Sequence, residues 1–326
     1  MAVQKRDLFR TEFKASVSNS PINHSDSVLT IGSCFSQSMG SKLEGSKFDV
    51  LTNPFGTVYN PVSIFTLLSN KTIDQQKFID RDGAVFHYDF HSDFWAKDEK
   101  TLATILKAKQ QEVDNFISNV DFIFITLGSA YVYELIETGE IVSNCHKISQ
   151  KYFRKRLLSI EDMVEAYQNL KSELIVRRRD VKIVLTISPV RHIKDGISEN
   201  NLSKSLLRVF CDTIVNDIDT FYFPSYEIMM DDLRDYRFYK DDLLHPTSMA
   251  EDYIWDKFQK TFFLKDTLEL VEKWRAILVA LSHRPYNPAS DKHQEFLIKQ
   301  LEKLEHFAQY WDVSKEKTIL INQIQD

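Results

Sequence analysis

The chain has 326 residues, enough for one large domain with additions or for two small ones. With 43% hydrophobic and 27% charged residues it is composed as an ordinary globular protein, and a net charge of −6 excludes a broad nucleic-acid-binding face, which needs an excess of Lys and Arg. No apolar run is long enough for a transmembrane helix, and the opening stretch MAVQKRDLFRTEF lacks the apolar centre of a signal peptide.

Cys34, Cys145 and Cys211 are odd in number and widely spaced, which predicts free thiols in a cytoplasmic protein rather than a disulfide framework. There is no C-x-x-C pair to suggest a structural zinc site. None of the eight glycines forms a dinucleotide or P-loop fingerprint, so no nucleotide cofactor is expected.

In chain order, residues 27–31 read as a buried strand, 36–43 as a helix and 48–51 as a second strand. KFIDRDGAVFHYDFHS reads as a hairpin turning at Asp82-Gly83. A helix is predicted over 100–118. The continuous apolar run DFIFITL, 121–127, has the pattern of a strand buried on both faces. Helix 160–177, strand 181–187, helix 202–218 and strand 220–223 follow, then helices over 249–263, 267–282 and 292–309.

Strands alternating with helices predict a doubly wound α/β sheet, whose ligands bind beyond the carboxyl ends of the strands. GSC, NPFG, LGSAY and SPVRH each follow a predicted strand, so four loops are expected to meet at one edge. The expected division is an α/β domain over 1–264 and a C-terminal helical extension over 265–326. That extension is either an accessory packing element or a partner-binding one.

Two features carry chemistry. Cys34 stands at a predicted strand-to-helix turn, where free N–H groups and the helix dipole favour a thiolate. Alternatively it is a small residue filling a corner, with Ser33 beside it. Far along the chain, KDDLLHPTS places Asp242 three residues before His245, a spacing that lets the carboxylate hold Nδ1–H and leaves Nε2 as a base. Together they form a three-part acyl-transfer site.

IGSCFSQSMG, NPFGTVYNP, NCHKI, SPVRHIKDGISENNLSKS, YFPSYEIMMDDLRDYRFYKDDLLHP and HRPYNP resemble blocks of the GSCFA-domain family, with Ser36 where the family name has alanine. That family is grouped with the SGNH (GDSL-like) hydrolases. The resemblance implies a flavodoxin-like three-layer α/β sandwich with a parallel sheet, and esterase, lipase-like or acyltransferase chemistry on a small-molecule or glycan ester.

Laying the superfamily's Gly-Asp-Ser block on Gly32-Ser33-Cys34 puts Cys34 at the nucleophile; a slip of one residue puts Ser33 there. The resemblance further implies oxyanion donors at the Cys34 amide, Gly56 and Gly128. The Gly-x-Asn block keeps Gly128 but has Ala130 in place of asparagine, so Asn53 or Asn144 is the expected substitute. That departure also keeps open a non-catalytic ligand- or carbohydrate-binding module. Asp242 and His245 match the Asp-x-x-His block directly.

Other candidates are expected around the cleft. Tyr59, Asn144 and His146 are placed as substrate contacts. Arg191 and His192, after the fourth strand of the α/β pattern, suit an anionic substrate group. His87, Asp89 and His91 alternate and share one face, reading as a polar cleft lining ahead of a metal site. Cys145 and His146 are sequence neighbours and poorly placed as a dyad. YEIMMDDLRDYRFY is expected to pack over the sheet edge and position the Asp242–His245 loop.

Overall fold

The computed structural model describes residues 11–69, 72–216 and 218–324, so the start of MAVQKRDLFRTEF lies outside the described residues. In chain order come β1 (Ser27–Gly32), α1 (Cys34–Gly45), β2 (Asp49–Thr52), α2 (Pro61–Leu68), the hairpin β3 (Phe78–Arg81) and β4 (Ala84–His87), and α3 (Glu99–Ile117). Then follow β5 (Phe122–Leu127), a small sheet of β6 (Tyr131–Leu135), β7 (Ile141–Val142) and β8 (Phe153–Leu157), α4 (Ile160–Arg177), β9 (Lys182–Ile187), α5 (Ile197–Ile214) and β10 (Thr220–Phe223). A short turn α6 (Ser225–Glu227) leads to α7 (Ser248–Phe262), α8 (Lys265–Leu281), α9 (Asp291–Phe307) and α10 (Ser314–Ile321).

The central sheet has the order β10-β9-β5-β1-β2, and all four pairings are parallel. Numbering only these five strands along the chain gives 2-1-3-4-5, the flavodoxin-like order, whose direction reverses between β1 and β5. Period-2 alternation divides the strands between two cores. Leu29, Ile31, Ile123, Ile125, Leu127, Ile183, Leu185 and Ile187 face α2 to α5. Val28, Phe122, Phe124, Val184, Phe221 and Phe223 face α1 and α7. The result is a three-layer sandwich with both faces of the sheet covered, which is why DFIFITL carries no polar alternation.

Glycine is required where β1 ends. Gly32 has φ +137°, and a Cβ there would run into the Thr126 carbonyl of the neighbouring strand. The Asp82-Gly83 turn has φ of 55° and 74°, the left-handed pair that a two-residue hairpin needs.

The C-terminal helices gather their own apolar cluster around Trp274, Ile277, Leu297, Leu304, Phe307, Val313 and Leu320. It meets the sandwich through the Trp274 indole N–H on Gly45 O at 2.9 Å, Lys47 on Glu316, and His24 stacked on Trp311. Among the described residues no helix is long and apolar enough to cross a membrane.

One expectation is corrected and three elements were not foreseen. The helix placed at 202–218 begins at Ile197 and ends at Ile214, because Gly196 opens it with φ +117°. α2 was not foreseen: PVSIFTLL is apolar nearly all round, so it shows no helical stripe and rests on its proline start and its Asn60 cap. The β6–β8 sheet and α10 were likewise not foreseen.

Candidate active site

At the β1/β5 reversal a cavity of about 250 Å³ opens between four loops. Ser33 and Cys34 after β1, Tyr59 after β2, Gly128 after β5, and Ser188 with Val190 to Lys194 after β9 line it; Leu244 and His245 close it from the segment before α7. The sequence therefore foresaw the meeting of loops, although it is Tyr59, beyond NPFG, that reaches the cavity.

Cys34 is the first residue of α1, with Ser33 as its N-cap. Ser33 makes no side-chain capping bond; its hydroxyl is buried and unpartnered among the described residues. Cys34 is half-buried. Burial pushes its thiol up, against the expectation of a resting thiolate. The amides of Cys34 and Phe35 and the charge of Lys204 act in the opposite direction, and Glu251 acts with burial.

Asp242 organises the opposite wall. Its Oδ1 accepts the N–H groups of Leu244 at 2.8 Å and His245 at 2.9 Å, and its Oδ2 meets His245 Nδ1 at 2.7 Å. Leu243 takes a left-handed φ of 60° so that the chain can wrap around that carboxylate. Those three bonds hold the Asp242 carboxyl down to about 2. An ionised carboxylate on Nδ1 fixes the proton there and leaves Nε2 free. The loop is zipped to its neighbours by Lys240 N–H on His245 O at 2.8 Å and Arg191 N–H on Leu244 O at 3.2 Å. As expected, 236–239 packs against it, bridging Tyr239 to Pro246.

Arg191 lines the cavity, yet its guanidinium lies over Tyr239 at 4.3 Å and Tyr236 at 5.3 Å, so it also braces the loop. His192 lies 5.2 Å from Tyr59 ring to ring, and burial lowers its pKa.

The expected oxyanion donors fare differently. The Cys34 amide, at the start of α1, has no intrahelical partner. Gly56 N–H is spent on Asn53 O at 2.8 Å, and Gly128 N–H on Tyr59 O at 2.7 Å. Asn53 Oδ1 holds Gly32 N–H at 3.0 Å and so shapes the β1 turn. Asn144 bonds Ser92 and the His146 amide, outside the cavity lining.

His87, His91 and His146 also lie outside that lining. His87 Nε2 meets Asp74 O at 3.0 Å and its Nδ1 accepts the Asp89 amide at 3.2 Å; Asp89 pairs with Lys77, and His91 with Asp93. His146 is buried on His87 O and stacked on Phe86. His87 and His146 are buried packing histidines, whereas His91 is partly exposed. Among the described residues no cluster of three or more His, Cys, Asp or Glu is placed to hold a metal. Metal analysis of the purified protein is expected to give less than one equivalent; a stoichiometric ion would overturn this reading of the hairpin. Cys145, pushed up to about 11 by burial, lies outside the cavity lining.

A larger hollow of about 1040 Å³ lies beside α2 and the small sheet. Within its lining Arg156 pairs with Glu134 and Lys77 with Asp89, and the carboxylates of Asp74 and Glu140 leave it acidic.

Of the lining, Ile193, Lys194 and Leu244 went unforeseen, and so did a residue beneath it. Lys204 of α5 is 2% exposed and donates to Gly128 O at 2.8 Å and Ser188 O at 2.9 Å. A signal was present: Asn200, Ser203, Lys204, Leu207, Phe210 and Cys211 follow helical spacing, so the lysine falls on the buried stripe.

Comparison with known proteins agrees with this architecture at the family level. The model of the GSCFA family matches residues 27–258, and that of the GSCFA domain protein C-terminal domain matches 274–326. Among solved structures, a carbohydrate esterase family 3 protein from Talaromyces cellulolyticus is similar at 8% identity and a TM-score of 0.35, covering 76% of this chain and 98% of that one. An acetyl esterase mutant with acetate ion is similar with the same four values. No curated protein matches. With most of its length under these two models, the chain belongs to the GSCFA family.

Proposed function

We propose that the protein is an SGNH-like acyl-transfer enzyme, hydrolysing an ester or thioester or passing its acyl group to an acceptor, with Cys34 as nucleophile, His245 as base and Asp242 as its orienter. One observation carries this reading: Cys34 and His245 line one cavity at the switch point of the sheet, and Asp242 holds His245 Nδ1 at 2.7 Å.

In this mechanism His245 Nε2 takes the proton as the Cys34 S–H bond breaks, and the sulfur electron pair forms a C–S bond to the acyl carbon. The carbonyl π electrons move to oxygen, beside the Cys34 amide at the start of α1. Collapse breaks the bond to the leaving alcohol or thiol, which receives the proton from His245. Water or a second acceptor, deprotonated by the same imidazole, then takes the acyl group and restores the thiol.

The test is turnover of short-acyl esters and thioesters by the wild type beside Cys34→Ala, Cys34→Ser, Ser33→Ala and His245→Ala. Undiminished turnover in Cys34→Ala with loss in Ser33→Ala would transfer the role to Ser33. The unpartnered Ser33 hydroxyl at the same cavity keeps that second assignment in play.

The pH dependence has a worked sign. A carboxyl held at about 2 is lower folded than unfolded, so what Asp242 contributes is present above the ordinary carboxylate range and lost only as pH falls through about 2. The activity profile between pH 4 and 8 is therefore expected to show no inflection from Asp242. A carboxylate inflection near pH 4 that Asp242→Asn removes would contradict the geometry.

A further inference from the structure

Arg191 is a half-buried cation with no carboxylate partner. Every other half-buried arginine among the described residues lies on a carboxylate, as Arg156 on Glu134, Arg177 on Asp114 and Arg178 on Asp121. The side-chain partners of Arg191 are two neutral phenols, Tyr236 and Tyr239, with its guanidinium 5.3 and 4.3 Å from their ring centres. Stacking occupies the face of a guanidinium, while its N–H donors lie in its plane and match the two oxygens of a carboxylate.

The cation stands between two hollows. On one side is the cavity of Cys34 and His245, whose lining contains no Asp or Glu and one further permanent cation, the exposed Lys194. Asp242, outside that lining, is bonded to His245 and to two amides. On the other side is a hollow of about 140 Å³ lined by Met229, Met230, Leu233, Tyr236 and Tyr239, in which Arg234 pairs with Asp231 and Asp235 with Arg237. The Arg191 N–H on Leu244 O at 3.2 Å ties this residue to the one before His245, so the cation keeps a fixed place beside the base. An arginine withdrawn from water with no carboxylate of its own leaves a desolvation cost that a bound anion offsets.

We propose that Arg191 is a specificity-determining residue that binds a carboxylate of the substrate, so that a small ester or thioester bearing a carboxylate is taken ahead of its uncharged counterpart. The inference rests on the acyl-transfer reading of the cavity. The carboxylate belongs either to the acyl group or to the leaving group, and two pairs of esters distinguish these sources. 4-Nitrophenyl hemisuccinate beside 4-nitrophenyl pentanoate varies the acyl group. The acetate ester of 4-hydroxybenzoate beside that of 4-hydroxybenzamide varies the leaving group.

With rates taken over the spontaneous reaction, wild-type kcat/KM is expected to favour the carboxylate by at least about tenfold in one pair, chiefly through KM. Arg191→Gln is expected to abolish that ratio. A residue that only braces the 236–239 loop would, when replaced, lower both members of a pair alike and leave the ratio unchanged. An unchanged ratio in Arg191→Gln, or no preference in either pair for the wild type, overturns the proposal.

Should Arg191→Gln not fold, the wild type supplies a second readout that needs no turnover. Phenylglyoxal modification of the Arg191 peptide, followed by mass spectrometry, is expected to be slowed at least about threefold by saturating succinate or 4-hydroxybenzoate and not by succinamide or 4-hydroxybenzamide. Equal rates with the anions and the amides overturn the site. Protection in a protein that turns over none of the esters would sink the acyl-transfer reading and leave the anion site; turnover with neither preference nor protection would do the reverse.

Discussion

His245→Ala is expected to lower ester or thioester turnover by about 10³-fold or more while leaving the fold intact. The separation of the two effects follows from position. The His245 and Asp242 side chains are 41% and 45% exposed, so removing the imidazole opens no core cavity, and the stability change is expected to stay within about 1 kcal/mol. Activity responds differently, because in the proposed mechanism Nε2 is the base that frees the Cys34 sulfur.

Cys34→Ala is expected to cost a similar factor. The double variant is expected to be no slower than either single one, since two groups acting in one step are not additive. Asp242→Asn keeps an oxygen for the Leu244 and His245 amides but no longer enforces the Nδ1–H tautomer, so it belongs to the same class of loss. Turnover beside urea unfolding of the same preparations checks the whole set. Full additivity in the double variant would show that the residues do not share a step.

Gly32→Ala is the second large effect, and it falls on stability. The site begins where β1 must stop and α1 must start within one residue, and Gly32 at φ +137° makes that turn. A methyl group there meets the Thr126 carbonyl of β5, a backbone atom that cannot swing aside. The same residue donates its N–H to Asn53 and accepts the Val58 amide at 2.9 Å, so a shift of the turn breaks bonds to the next loop as well.

Strain and overpacking together predict a loss of at least about 3 kcal/mol, measured by urea titration. Gly45, at the end of the same helix, is the control: nothing lies within 4 Å of a Cβ built there, and Gly45→Ala is expected to be neutral or stabilising by up to about 1 kcal/mol. A loss under 0.5 kcal/mol in Gly32→Ala would show that the turn can relax, contrary to its geometry.

The contrast between these two glycines illustrates what can be read along the chain. GSC is recognisable as a strand-to-helix turn because a buried apolar run ends in glycine and a polar helical stretch follows. Asp242 and His245 are legible for a related reason: their contact spans three residues, and the carboxylate meets backbone and imidazole within one turn. The five parallel strands, α4 and the Asp82-Gly83 hairpin were visible on the same footing, since burial on one or both faces imprints a period on consecutive residues.

α2 was not, because a short helix buried almost all round has no polar face to mark its period. Gly56, Gly128 and Asn53 were expected to donate to an oxyanion, but Gly56 N–H closes a local turn onto Asn53 O, and Asn53 and Gly128 meet Gly32 and Tyr59. Gly128 is occupied by Tyr59, across 69 residues of sequence, a pairing no local pattern records.

Lys204 is the sharpest case. A lysine is ordinarily solvated, whereas the helical spacing of its neighbours places this one on a buried stripe. Only the packing of α5 beneath two loop carbonyls decided between them. Local order, strand and helix periodicity, and the Asp242–His245 unit were determined by the sequence alone. Which side chains share the cavity, which amides remain free, and where a charge lies buried were decided by tertiary structure, because each depends on partners that only the folded chain brings within hydrogen-bonding or electrostatic reach.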